Sequence, residues 1–407
     1  MNNNTLVRKR YAAERRFKAY GLGAIVITAA FLAFLLIDLV SKAIPAVFVN
    51  EAMLSVTVDP SMADPANPVA GDYLGMTKKA LQANFPEITT RADKKALNGL
   101  LSAGAADVLQ ARVIADPSLI GQTITVPVAL DSNADLYLRG TDDGQLSDKQ
   151  KELITALKDK GLITHGIAWN FFLNGDSREP ELAGIKGALI GSIFTILITL
   201  AIALPLGVAA ALYLEEFARK NWITDVIEIN INNLAAVPSI IFGLLGLAVF
   251  LNAFGIPRST PLVGGLVLSL LVLPTIIIAS RAAIKSVPPS IKEAALGVGA
   301  SHVQAVFHHV LPLAVPGILT GTILGVARAL GETAPLLMIG MIAFIVDVPG
   351  GVTDAATVLP VQVFLWSDLP EAAFQSRTAA AIIVLLVVLF AFNALAIYLR
   401  KRFERRW

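Results

Sequence analysis

Long apolar runs separated by short polar intervals set the pattern of this chain. Stretches without Asp, Glu, Lys or Arg cover 19–37, 187–214, 229–257, 259–280, 302–327 and 378–399. Each is near or above the roughly 20 residues needed to cross about 30 Å of hydrocarbon as a helix. A backbone in lipid must satisfy its own hydrogen bonds, so the runs are predicted as helices rather than strands. The pattern predicts an all-α polytopic membrane protein with six transmembrane helices.

One polar block, 45–180, is large enough to form a domain. Its segments 54–58 and 123–130 alternate like strands, and 78–83, 91–113 and 147–160 read as helices, the last with Ser147 as N-cap. A small α+β insertion domain is expected. Asp131-x-Asn133-x-Asp135 has the spacing that opens a calcium loop. Leu136 occupies the sixth position, where the turn needs glycine, and Asp142 stands where glutamate belongs, so a solvated loop is the better reading. His165 and Trp169, placed one helical turn apart near the membrane surface, read as interfacial residues.

Composition agrees with the pattern. Hydrophobic residues make up 55% and charged residues 16% of 407 positions, with a mean hydropathy of +0.67; soluble domains carry about 25% charge. Arg8, Lys9, Arg10, Arg15, Arg16 and Lys18 precede the first run, and Arg400, Lys401, Arg402, Arg405 and Arg406 follow the last. Positive flanks stay cytoplasmic, so both termini are expected inside, which requires an even number of spans. The block 45–180 is then extracytoplasmic, and Arg219, Lys220 and the interval 281–292 are cytoplasmic. The expected organisation is a basic N-terminus with the first span (1–44), the insertion (45–180), a core with the other five spans (181–400) and a basic tail (401–407). The first apolar run is longer than a cleaved signal's core of about 7–15 residues and is read as a retained anchor. A net charge of +2 and the absence of cysteine say little about function.

The cytoplasmic interval 284–313 is dense in helix punctuation. Pro288-Pro289 breaks the preceding helix, Ser290-x-x-Glu293 and Ser301-x-x-Gln304 read as capping boxes, and Gly297 and Gly299 read as helix stops. Two short helices held at a fixed angle are expected, with Ala294 and Ala295 forming a small-residue face that another protein can approach. Further on, Arg328 and Glu332 lie in the fifth run at a spacing that permits pairing. At 1.5 Å per residue, Arg328 falls roughly 24 Å beyond Pro312 along a helix. Charge inside a membrane signals a pathway or ligand by default. A structural ion pair and an anion site both fit. Gly317, Gly321 and Gly325 form a stripe suited to close helix packing, expected to carry Arg328 to a subunit interface.

The motif Glu293-Ala294-Ala295-x3-Gly299-x9-His309-x-Leu311-Pro312 resembles the signature of bacterial ABC importer permeases, with His309 where that signature has isoleucine. The resemblance implies the type I importer permease fold and a coupling helix seated on an ATPase subunit, with Glu293, Ala294, Ala295, Gly299, Leu311 and Pro312 at the contact. The wording Arg328-Ala-Leu-Gly-Glu332-Thr-Ala-Pro-Leu-Leu337 is similar to the phosphate-specific branch, and its ending to the PstA rather than the PstC subunit. Residues 233–246 are similar to the third span of the same branch. The likeness runs from about 182 to 400 and leaves out the insertion. It implies that Arg328 and Glu332 line a phosphate path, with Arg281 a weaker candidate better read as a topology anchor. The implied partners are a PstC-like second permease in a heterodimer, an ATPase dimer and an extracytoplasmic phosphate-binding protein. No P-loop occurs, so ATP would be used by the partner subunit and no cofactor held directly. His302, His308 and His309 lack companions at metal-ligand spacing. A permease for sulfate, molybdate or tungstate, and a membrane sensor or scaffold with an outer sensing domain, are the rival readings.

Overall fold

The computed structural model describes residues 3–64, 67–140 and 144–403. Asp142, Arg405 and Arg406 lie outside the described residues. Helix α1 (Asn3–Val47) runs directly into strand β1 (Phe48–Thr57). There follow α2 (Tyr73–Ala83), α3 (Arg91–Asn98), α4 (Asp107–Ala115), β2 (Thr123–Ala129), α5 (Ser132–Leu138), α6 (Asp148–Asp159), β3 (Ile163–Ile167) and α7 (Trp169–Leu173). The strands form an antiparallel sheet in the order β2-β1-β3, with Leu54 opposite Val126 and Asn50 opposite His165. Period-2 alternation sends Ala52, Leu54 and Val56 into a core shared with Leu81, Leu97, Leu109 and Ile154, while Ser55 and Thr57 face solvent.

Three local forecasts are corrected here. The helix expected over 91–113 is two helices, because the chain between them leaves the helix to meet the sheet: Ser102 N–H donates to Ala129 O and Leu101 bridges Leu130. The calcium-like segment is α5, capped by Asp131, whose side chain accepts from Asn133 N–H at 2.9 Å. Asp135 is taken by Asn50 N–H and Nδ2 (2.9 and 2.6 Å) and by Arg139 Nε and Nη2 (2.9 and 3.1 Å). His165 lies on β3 and Trp169 opens α7, so they do not share a helix. Ser147 does cap α6, in a complete capping box with Gln150.

The second half is helical. It comprises α8 (Lys186–Leu212), α9 (Trp222–Ala235), α10 (Ser239–Gly246), α11 (Pro261–Lys285), α12 (Pro289–Gly297), α13 (His302–Ala305), α14 (Leu311–Gly331), α15 (Ala334–Met338), α16 (Leu359–Ser367) and α17 (Ala372–Phe403). Wide π-helical turns extend α8 (Tyr213–Phe217) and α10 (Leu247–Ala253) and join α13 to α14 (Val306–Val310). Five helices among the described residues are long and apolar enough to cross a membrane. The stretch expected as the third span is a bent pair, Trp222–Ala235 and Ser239–Ala253, at 101°. Pro238 makes the break, since the residue before proline is driven from helical geometry and Pro238 itself is extended (φ −55°, ψ 135°). Helix α11 is the hub, in contact with α8, α9, α10, α14 and α15, and α1 lies against α17.

A buried polar junction joins the sheet domain to the helices. Arg377 of α17, 5% exposed, donates to Ala46 O at 3.1 Å and Glu181 O at 3.3 Å and stacks over the Phe171 ring. The Glu181 carboxyl accepts from Ser102 Oγ at 2.6 Å, and its other oxygen is buried without a partner. Burial raises the Glu181 carboxyl above its ordinary value of 4.5, because desolvation disfavours the charge. The folded junction therefore holds its proton to a higher pH than the unfolded chain does. The stability gained this way is complete below pH 4.5 and falls as pH rises towards the raised folded value. Glu181→Gln is expected to flatten that decline, read from thermal unfolding in detergent between about pH 4 and 8.

Candidate functional site

Helix α12 begins two residues earlier than the sequence suggests. Pro288 is its N-cap and Pro289 its first residue, and no side chain caps it, so the box expected from Ser290 and Glu293 does not form. Proline at the first position needs no N–H partner and has its φ preset, which moves the start forward. The second box is present: Ser301 N–H donates to Gln304 Oε1 at 2.9 Å, and Gln304 N–H donates to Ser301 Oγ at 3.3 Å. Gly299 makes the turn between the helices at φ +93°, whereas Gly297 ends α12 in ordinary geometry. The expected second short helix is not separate. From His302 it continues through the π-turn into α14 and reaches Gly331, the wide turn accommodating the N–H missing at Pro312.

Glu293, Ala294 and Gly299 are exposed, Ala295 is buried, and Leu311 and Pro312 are half-buried. Around them Val298 is 87% exposed, and Leu296, Val303 and Phe307 also face out. The loop thus presents an apolar patch with one carboxylate, while His308 and His309 lie exposed at its edge.

Behind this surface is a cluster of opposite charges. Arg281, near the end of α11, donates from Nε to Glu215 at 2.5 Å and from Nη2 to Glu228 of α9. Lys285 adds a 3.3 Å contact to Glu215, and Lys292 of α12 holds Glu216 at 2.5 Å. His302 Nε2 stands 4.0 Å from Glu216, its ring edge-on to Phe217. Glu215 and Glu216 are each only 11% exposed. Among the described residues, no three His, Cys, Asp or Glu side chains converge to hold a metal.

Arg328 and Glu332 do pair, through Nε and Oε1 at 3.5 Å, with side chains 39% and 20% exposed. Charge-assisted pairs in full contact lie at about 2.7–2.9 Å, so the guanidinium is loosely held. Arg328 sits in the last turn of α14, towards one end of the helical run and not at its middle. The glycine stripe does not lead to it. Cβ atoms at Gly317, Gly321 and Gly325 would fall within 2.6 Å of Ala283, Ala279 and Val272. The stripe is therefore spent on α11 of the same chain, and the next position along it is buried Ala329.

Sequence reasoning passed over Glu215, Glu216, Glu228, Lys292, Glu181 and Arg377. One signal was available for the first two. Adjacent carboxylates end a long apolar run, just before Arg219-Lys220, and need cations from elsewhere in the fold.

A helical core with five helices long and apolar enough to cross a membrane, and an exposed, sharply turned loop between two of them, is that of a multi-pass membrane protein. A family described as the binding-protein-dependent transport system inner membrane component matches residues 203–407, half of the chain. The chain belongs to this family, and such permease subunits are not themselves enzymes. A domain of unknown function, DUF3333, matches residues 4–148. The chain is 36% identical to the probable ABC transporter permease protein YqgI of Bacillus subtilis over 179 residues, 43% of this chain and 60% of that one. It is 31% identical to the phosphate transport system permease protein PstA of Yersinia pestis over 221 residues, 54% of this chain and 74% of that one. A solved chain of the inward-facing MetNI methionine ABC transporter aligns at TM-score 0.43 and 16% identity, covering 54% of this chain and 96% of that one.

Arg281→Met removes the cation between two carboxylates while its own side chain is 12% exposed. Breaking a fully buried pair from one side costs about 3–5 kcal/mol; the loss here is smaller, because Lys285 stays on Glu215 and Glu228 is 41% exposed. The variant is expected to unfold at lower temperature in detergent. An unchanged unfolding temperature with lost transport would instead restore Arg281 to the path.

Proposed function

We propose that this chain is the transmembrane permease subunit of an ATP-driven inorganic phosphate importer of the type I class. It forms half of a translocation path in the inner membrane, with six spans if the bent pair is one, both termini cytoplasmic and the sheet domain outside. A PstC-like permease completes the path as a heterodimer. An external phosphate-binding protein delivers the anion, and a separate ATPase dimer hydrolyses ATP and seats on the loop at Glu293, Ala294 and Gly299, with Leu311 and Pro312 at its edge; Ala295, expected on the same face, is buried and supports it from behind. The chain holds no cofactor of its own.

The observation that carries this reading is Arg328, a permanent cation exposed on a long apolar helix and only loosely met by Glu332. A charge costs a few kcal/mol against lipid at a helix centre and less towards the end, where Arg328 sits, so the placement favours a partner subunit or a water-filled path on this face without requiring it. A guanidinium offers forked donors that match a phosphate oxyanion, and Glu332 keeps the fork aimed. The name of the Yersinia pestis relative supports phosphate as the anion.

In the reconstituted transporter, Arg328→Ala is expected to lower phosphate uptake by about tenfold or more, with Arg328→Lys retaining part of it because the charge remains without the fork. Unchanged uptake in Arg328→Ala would remove the residue from the path. Glu293→Lys reverses the one carboxylate on the exposed loop and is expected to abolish co-purification of the ATPase subunit from detergent extracts. Full recovery of the ATPase with that variant would place docking elsewhere.

A further inference from the structure

The acidic pair at the end of α8 has a task that the docking surface leaves unassigned. Glu215 and Glu216 are neighbours in a π-helical turn, and both are nearly buried. Two adjacent, nearly buried carboxylates repel each other and lose hydration, so cations in contact are needed to offset that cost. Those cations come from distant segments. Arg281 and Lys285 reach Glu215 from the end of α11, and Lys292 reaches Glu216 from α12, 76 residues further along the chain.

Lys292 precedes Glu293 in sequence, yet the two face opposite ways: Glu293 is exposed, and Lys292 turns inward to Glu216. A cleft of about 220 Å³, open to solvent, lies beside Lys292 at the ends of α8 and α11, lined by Glu215, Glu216, Lys285, Pro288, Pro289 and Lys292. Helix α12 is thus not packed flat on α8. It stands across this gap from the end of α8, joined to α11 through Pro288-Pro289, packed against the Val306–Val310 turn, and tied to Glu216 by Lys292.

We propose that Lys292–Glu216 is a strut that transmits displacement of the docking helix α12 to α8, a helix to which the loop has no adjacent covalent link. The chain bonds of the loop pull directly only on α11 and α14. The end of α8 already shares a buried cluster with the Val306–Val310 turn through Ala211 and Leu212; the strut adds a direct tie from α12 itself, and Glu215–Arg281–Glu228 extends the connection to α9. Glu216 and Lys292 are positioning residues: neither touches substrate, and neither lies on the exposed docking face. The proposal rests on the reading of this chain as an ATPase-coupled phosphate permease.

The test uses the full transporter in proteoliposomes, with phosphate uptake and ATP hydrolysis measured in parallel. The variants are Glu216→Gln, Lys292→Met and the double swap Glu216→Lys with Lys292→Glu. Each single variant is expected to retain the ATPase subunit on co-purification and to lower phosphate moved per ATP by at least about fivefold, the lower range of measured site-to-site couplings. The double swap is expected to recover most of the ratio, as a direct pair requires. Unchanged ratios in both single variants would overturn the strut. So would impaired single variants that the swap leaves unrepaired, because the two residues would then not act through each other. A wild-type transporter that moves no phosphate overturns the substrate reading instead. The strut is then still read from stimulation of ATP hydrolysis by the binding protein, which the single variants are expected to lose and the swap to regain.

Discussion

Between α11 and α14 the backbones come close enough that a single methyl group at Gly317, Gly321 or Gly325 would collide with Ala283, Ala279 or Val272. Helices surrounded by lipid gain nothing from hiding apolar surface from each other, so close van der Waals approach is what holds them together. Three glycines at four-residue spacing make that approach possible along one face. The remaining features of the helical core hang on this contact. It fixes the two long helices whose ends carry the loop 286–301, and it sets the rotation of α14 that leaves Arg328 facing outward.

The loop is rigid for reasons of its own. Proline starts α12, a left-handed glycine turns the chain, and a complete capping box starts the next helix. Rigidity within the loop does not attach it to the rest of the protein, and the charged cluster beneath it supplies that attachment. Glu215 and Glu216 gather three cations from two helices, so the ends of α8, α9 and α11 and the base of α12 are bound into one polar assembly. An exposed apolar patch with a carboxylate thus sits on a base that reaches α8, α9 and α11. At the opposite end of α17, Arg377 plays the corresponding part for the sheet domain, tying α1, the segment before α8 and Phe171 together.

Features decided by neighbours in sequence were legible. Apolar run length announced the long helices, Ser147 announced its N-cap and Ser301 its capping box, and alternation announced β1 and β2. Features decided at a distance were not. Arg281 resembles a topology anchor because its partners lie 66 and 53 residues away. The glycine stripe showed that a helix would pack there, yet nothing in it named α11 of the same chain as the partner. The Ser290 box failed through local competition, since proline one position earlier is the stronger start. The third span broke at Pro238, where an unbroken apolar composition concealed the turn. Of the candidate site, the exposed loop residues and the Arg328–Glu332 pair were visible as motifs, while the acidic pair that braces the loop was not.

The central claim is that this chain conducts phosphate under the drive of a separate ATPase docked on its loop. The most direct measurement is radiolabelled phosphate influx into proteoliposomes holding the wild-type transporter and its binding protein, with ATP supplied only on the side of the loop and with sulfate or molybdate as competitor. Phosphate accumulation is expected to require ATP on that side and to be indifferent to either competitor. ATP-driven accumulation of sulfate or molybdate in place of phosphate, or phosphate entry equal with and without ATP, would contradict it.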